Sequence, residues 1–280
     1  MMDKLDAHMH VWRLARGDYD WMTPALGTIY RDFQIDDTWE VASAAGVSQV
    51  ILVQAAATAA ETGYLLSLAA ADARVAGVVG WVDFEAPGAA QKVARYAKDT
   101  PILGLRPMIA DLPDPRWILN PAFAPSLEAM AEYELVFDGH ARADLVPVMT
   151  RLADLYPALQ IVLNHAGKPQ IATANLTAWR DDLRTLAQRA NVTCKLSGLL
   201  TEAGARTDDA ALGEVVEHIR DCFGPDRVMW GSDWPVLNLA SSYTEWAAQS
   251  ARLISRYFPD HQSAVWAGNA RRIYLNRPGA

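Results

Sequence analysis

Only two cysteines, Cys194 and Cys222, occur in the 280 residues. They form no CxxC pair and no framework spacing, so a disulfide-stapled scaffold and a cysteine-rich zinc module are excluded. Both read as free thiols in a reducing compartment. Long apolar runs are missing too. None approaches the roughly 20 residues of a membrane span. Asp3, Lys4 and Asp6 interrupt the start, where a secretory signal would carry its apolar stretch. The expectation is a cytoplasmic protein without membrane contact. A cluster of Lys and Arg is also lacking. The 25 basic and 33 acidic residues give 25 − 33 = −8, a poor balance for nucleic acid or anionic surfaces. No glycine-rich phosphate turn follows the first β-type run, which argues against an open dinucleotide-binding sheet.

What is present is alternation. Hydrophobic residues are 51% and charged residues 21%, an ordinary globular balance. Eight β-type runs recur, at 4–12, 47–54, 75–84, 101–109, 133–141, 159–167, 191–199 and 226–234. Between them lie segments with apolar residues at three- and four-residue spacing, which read as helices. "ADLVPVMTRLADLY" stops at Pro157, which cannot continue a helix. An extra helix, "HQSAVWAGNARRIYL", follows the eighth unit. Alternating strands and helices predict parallel strands with right-handed crossovers. Eight units in about 250 residues predict a single (β/α)₈ TIM barrel spanning 1–280. A homo-oligomer is compatible with this pattern. The long segment 13–35 after the first strand carries Tyr19, Trp21 and Tyr30 and reads as a lid.

Barrel chemistry gathers where strands end. Alternation places Asp6, His8 and His10 on one face of strand 1. The other strands offer Gln54, Asp83, Arg106, Asp138 with His140, His165, Lys195 with Ser197, and Asp233. Burying so many polar groups costs several kcal/mol unless they are paired or hold something. Three or four histidines and an aspartate at one mouth are ligand chemistry for zinc or a similar ion. Blander roles stand beside this. Arg106 or Lys195 could pair structurally with Asp138. His218, mid-helix, and His261, at a helix start, read as surface or packing residues. Trp12, Trp21, Trp81 and Trp234 stand near strand ends or the lid, where an aromatic face suits a sugar ring or simply packs.

Seven stretches carry a family likeness: "DAHMHVW" (6–12), "VILVQAAATAAET" (50–62), "GWVDFEAP" (80–87), "GLRPMIADLPDPRWIL" (104–119), "LNHAGKP" (163–169), "CKLSGLLTEA" (194–203) and "WGSDWPV" (230–236). With them the chain resembles the amidohydrolase superfamily, of the amidohydrolase-2 type. Within it the chain is similar to the sugar-lactone hydrolase branch, of the L-fucono-1,5-lactonase and L-rhamnonolactonase kind. The resemblance implies a hydrolase that opens a small sugar-acid lactone. It implies one divalent metal, zinc first, held by His8, His10, His165 and Asp233. Some members of the branch work without metal, so metal dependence stays open. Strand 4 carries Arg106 where other members bring a bridging lysine or glutamate, which speaks against two metals. His140 departs from the branch pattern and is either a further metal nitrogen or a residue that reads substrate.

The implied chemistry makes Asp233 the general base on water, with His165 beside it as a catalytic residue. Arg106 and Lys195 would bind substrate or a developing oxyanion. Asp138, Gln54, Trp21, Trp81 and Ser197 complete the expected substrate contacts. Three other functions compete. An aldarolactone isomerase on the same scaffold would release no net acid. A non-catalytic sugar-acid binding protein would be expected to have lost either the histidine pair or Asp233. Decarboxylation is the weaker option.

Overall fold

The short apolar runs become eight parallel strands. They are β1 Lys4–Met9, β2 Val47–Val53, β3 Val75–Gly80, β4 Ile102–Leu105, β5 Val136–Gly139, β6 Ile161–Leu163, β7 Val192–Leu196 and β8 Val228–Trp230. Each pairs with the next in sequence order. Two backbone hydrogen bonds, His10 N to Trp234 O (2.7 Å) and Asp233 N to His8 O (2.8 Å), join β8 to β1 at the top. The result is the expected (β/α)₈ barrel. The computed structural model describes residues 2–114 and 116–276. The reading of one domain over 1–280 therefore reaches residues outside the described ones at both ends and at Pro115.

Among the described residues, an α-helix follows each strand: α1 Trp39–Ala44, α2 Ala59–Ala71, α3 Ala89–Asp99, α4 Ala124–Glu132, α5 Val146–Leu155, α6 Thr177–Ala187, α7 Asp209–Phe223 and α8 Tyr243–Tyr257. Local chemistry sets their starts. Thr58 accepts from the Glu61 N–H at α2, Asp208 accepts from two N–H groups at α7, and Ser242 forms a capping box with Glu245 at α8.

The core has two layers. One lies between the helices and the outer face of the barrel. The other fills the interior with Leu5, Ala7, Ile51, Val53, Val79 and Val136, among others. The C-terminal helix, 262–275, belongs to this inner layer. Its segments Ala264–Gly268 and Arg271–Leu275 wind with i→i+5 bonding. Tyr274 from this helix is fully buried inside the barrel, where its hydroxyl donates to Asp138 Oδ1 at 2.7 Å.

One expectation about β1 fails. Asp6 does not share a face with His8 and His10. Its carboxylate accepts from Tyr243 OH on α8 (3.0 Å) and from the Ser232 N–H (2.8 Å), on the helix side. The pairing of β1 with β2 slips between Asp6 and Met9, and this irregularity re-aims the side chains after it. Simple alternation does not survive such a slip.

Candidate active site

Three of the four expected site residues lie beyond regular strand: His10 directly follows β1, and the other two take unusual backbone. His165 follows β6 in a left-handed conformation (φ 52°), and Asp233 follows β8 at φ 61°. Ala166 and Lys168 share that region (φ 50° and 49°), so four of the six such non-glycine residues among those described lie beside the mouth. Left-handed backbone is costly for these residues, and such strain concentrates where function demands it. Two glycines make the room. A Cβ on Gly198 (φ +61°) would stand 2.5 Å from His165 Nδ1, and one on Gly231 would stand 2.8 Å from His8 Cβ.

The imidazoles then converge on one carboxylate. Asp233 Oδ1 lies 3.6 Å from His8 Nε2, 3.4 Å from His10 Nε2 and 3.7 Å from His165 Nε2. His8 Nε2 and His10 Nε2 are 3.2 Å apart. All four residues are buried. His10 Nδ1 donates to Val53 O at 2.7 Å, which leaves Nε2 as a lone pair facing the centre. His165 Nδ1 is held by Ser197 Oγ at 2.9 Å.

Burial, together with the neighbouring Lys195 and the other histidines, pushes His8 well below the usual imidazole range. Burial likewise lowers His165, to about 3, and lowers His10. Burial pushes Asp233 up, but His165 and His10 outweigh it and hold the carboxyl below its ordinary value. At neutral pH the cluster is three neutral rings around one carboxylate.

That arrangement fits a divalent metal. Zinc bonds of about 2.0–2.2 Å in a tetrahedron separate neighbouring donors by about 3.3–3.6 Å. His8, His165 and Asp233 offer donor atoms within 4.8 Å of one another, and His10 Nε2 stands at the edge of this group, near Asp233 and His8. His140 stands outside this group. Its Nδ1 lies 3.9 Å from Asp111 Oδ2.

Cations approach the cluster from below and beside it. Arg106 Nη1 is 3.4 Å from His8 Nε2, and Lys195 Nζ is 3.4 Å from His8 Nδ1. A neutral ring accepts at only one nitrogen, so His8 satisfies one of the two at a time. Gln54 and Arg106 exchange hydrogen bonds: the Gln54 amide donates to Arg106 O at 2.7 Å, and the guanidinium donates to Gln54 O. Lys195 pairs with Asp138 at 3.1 Å, both fully buried, and Asn164 Nδ2 donates to the same carboxylate at 3.0 Å. Asp138 thus takes Lys195, not Arg106, as its ion-pair partner.

A cavity of about 200 Å³ opens above the cluster, with His10, His165, Asp233 and Arg106 in its wall. Trp21 and Met108 form apolar sides, and Asp111, His140 and Lys168 complete it. Trp21 belongs to the expected lid. This segment is anchored by the indole N–H donating to Ala55 O (2.7 Å) and by a backbone pairing of Trp12 with Phe33. Lys195, Asp138, Gln54 and Ser197 support the wall from within the barrel and do not line the cavity. Trp81 lines two neighbouring cavities instead. His218 packs on Trp179 and bonds Arg180 O at 2.9 Å, the packing role expected of it.

Sequence reasoning missed Met108, Asp111 and Lys168. All three sit inside the stretches that carried the family likeness, but nothing in their spacing aims them at the mouth. It also missed Glu61, whose buried carboxylate accepts from the Ala55 N–H at 3.1 Å and from that of Ala56.

Strand-end histidines and a carboxylate on the wall of a small cavity in a (β/α)₈ barrel point to a hydrolase class. The amidohydrolase family profile matches residues 5–275, and the chain belongs to that family. It is 39% identical to the L-fucono-1,5-lactonase of Burkholderia ambifaria, with 99% of this chain and 98% of that protein covered. It is 38% identical to the L-fucono-1,5-lactonase of Burkholderia multivorans, over 97% and 95%. Among solved structures it is similar to an amidohydrolase of Burkholderia multivorans with bound zinc: TM-score 0.92, 36% identity, 99% of this chain and all of that one.

Proposed function

We propose that the protein hydrolyses a small sugar-acid lactone, an aldonolactone of the L-fucono-1,5-lactone type. The observation that carries this reading is the buried Asp233 carboxylate facing three imidazole nitrogens on the wall of a small cavity. Ionised and partly stripped of water, it is placed to take a proton from an attacking water and return it to the ring oxygen as the acyl bond breaks. Arg106 lines the same wall, and its Nε has no hydrogen-bond partner in the protein. A guanidinium there stabilises charge developing on the carbonyl oxygen. Trp21 offers a flat apolar side for the sugar ring. A zinc ion among His8, His10, His165 and Asp233, when bound, supplies Lewis-acid polarisation of the carbonyl.

Two free cysteines support a cytoplasmic location, and no helix of the described residues is long and apolar enough to cross a membrane. The partner is the small-molecule lactone.

A pH-indicator screen over aldono- and aldarolactones tests the reading. Acid release from a six-membered aldonolactone is the expected result, and its absence across the panel contradicts it. Rearrangement without acid release points instead to an isomerase. Elemental analysis, with activity measured before and after chelation, tests the metal. About one zinc per chain and activity lost on chelation are expected. Full activity in zinc-free protein leaves the step to Asp233 and Arg106.

A further inference from the structure

His140 stands unused by the chemistry above. It is 8% exposed and lines the cavity, and its Nδ1 is buried without a hydrogen-bond partner. A polar atom in that state is costly unless something reaches it. The carboxylate of Asp111, at 3.9 Å, is beyond hydrogen-bond distance. Asp111 follows β4 and is held near β5 because the Arg142 guanidinium donates to Ala110 O.

From this pair we infer a hydroxyl-reading subsite: His140 and Asp111 together hold a ring hydroxyl of the substrate, on the side of the cavity away from Asp233. The inference rests on the lactonase reading and sharpens it to a polyhydroxylated ring. Strand order places it. In an eight-stranded barrel, β4 and β5 stand opposite β8 and β1, so Asp111 and His140 face Asp233, His8 and His10 across the mouth. A ring whose carbonyl sits at Asp233 extends toward them. An oxygen about 2.8 Å from both Nδ1 and Oδ2 spans the 3.9 Å gap, accepting from the ring N–H and donating to the carboxylate.

The chemistry selects a hydroxyl over a carboxylate. Burial first, then Arg106 and Lys168, keeps His140 well below the usual imidazole range. The Asp111 carboxylate 3.9 Å from Nδ1 disfavours a second carboxylate at this spot, although Arg106 and Lys168 line the same cavity, whereas a hydroxyl can accept from the ring and donate to Asp111. The cavity is also small, about 200 Å³ against the roughly 300–1,000 Å³ of most ligand pockets. A single ring fills it, and its substituents must meet the wall.

The test compares wild type with His140→Phe and Asp111→Ala on two substrates: L-fucono-1,5-lactone and δ-valerolactone, which has the ring and no hydroxyls. The quantity read is the ratio of kcat/KM for the first over the second. In each variant the ratio is expected to fall by about ten-fold, the value of one or two lost hydrogen bonds. Asp111 is largely exposed, so Asp111→Ala carries the test should His140→Phe fail to fold. A ratio unchanged in the folded variants overturns the subsite while the lactonase reading stands. Wild type that opens neither lactone overturns both.

Discussion

At the scale of single residues, the site depends on groups that leave space as much as on groups that fill it. Gly198 permits His165 to stand against Ser197, because any side chain there would meet the imidazole at 2.5 Å. Gly198→Ala therefore adds two costs. Left-handed backbone disfavours a Cβ by about 1–2 kcal/mol, and the ring must move off its position beside Asp233. The expected outcome is a drop in Tm together with at least a ten-fold loss of kcat. Wild-type kcat in this variant would show that the placement of His165 does not matter. The four residues of the cluster were readable in the sequence. His8 and His10 lie at the top of the first strand, and His165 and Asp233 end runs of apolar residues. The backbone conformation of His165 and Asp233 was not readable, since a left-handed residue after a short strand leaves no periodic trace.

At the scale of elements, the strands are shorter than their apolar runs. The runs at 159–167 and 226–234 yield only Ile161–Leu163 and Val228–Trp230 as regular strand. The remaining residues turn out of the sheet and carry the chemistry. Asp6 shows the same limit, because a slip in β1 pairing sends it to Tyr243 on α8 and breaks simple alternation.

The loop between β2 and α2 depends on Glu61, which binds the N–H groups of Ala55 and Ala56 beside Trp21's anchor. Burial outweighs those donors and pushes the carboxyl from 4.5 up to about 7. The sign follows from linkage. Below about pH 4 the group is protonated in both folded and unfolded chains. Between there and about 7 the unfolded chain ionises first, so the folded state loses stability as pH rises. Tm of wild type relative to Glu61→Gln should therefore fall between pH 4.5 and 8. A difference that is flat or rises with pH would contradict the assignment.

At the scale of the whole molecule, the barrel interior links both ends of the chain. Tyr274 on the C-terminal helix bonds Asp138, Asp138 pairs with Lys195, and Lys195 lies 3.4 Å from His8 on the first strand. The extra helix was visible in the sequence as a segment after the eighth unit. Its place inside the barrel was not, because 136 residues separate Tyr274 from Asp138 and no local pattern spans that distance. For the same reason Lys195 and Asp138 read as substrate contacts, although they are buried against each other below the cavity.

The account turns on Asp233 as the base, and one measurement addresses it most directly: kcat of Asp233→Asn on the lactone that wild type opens fastest, with far-UV circular dichroism to check the fold. Loss of a positioned general base predicts a fall of about 10²–10⁴-fold in a folded protein. Turnover equal to wild type would contradict the account.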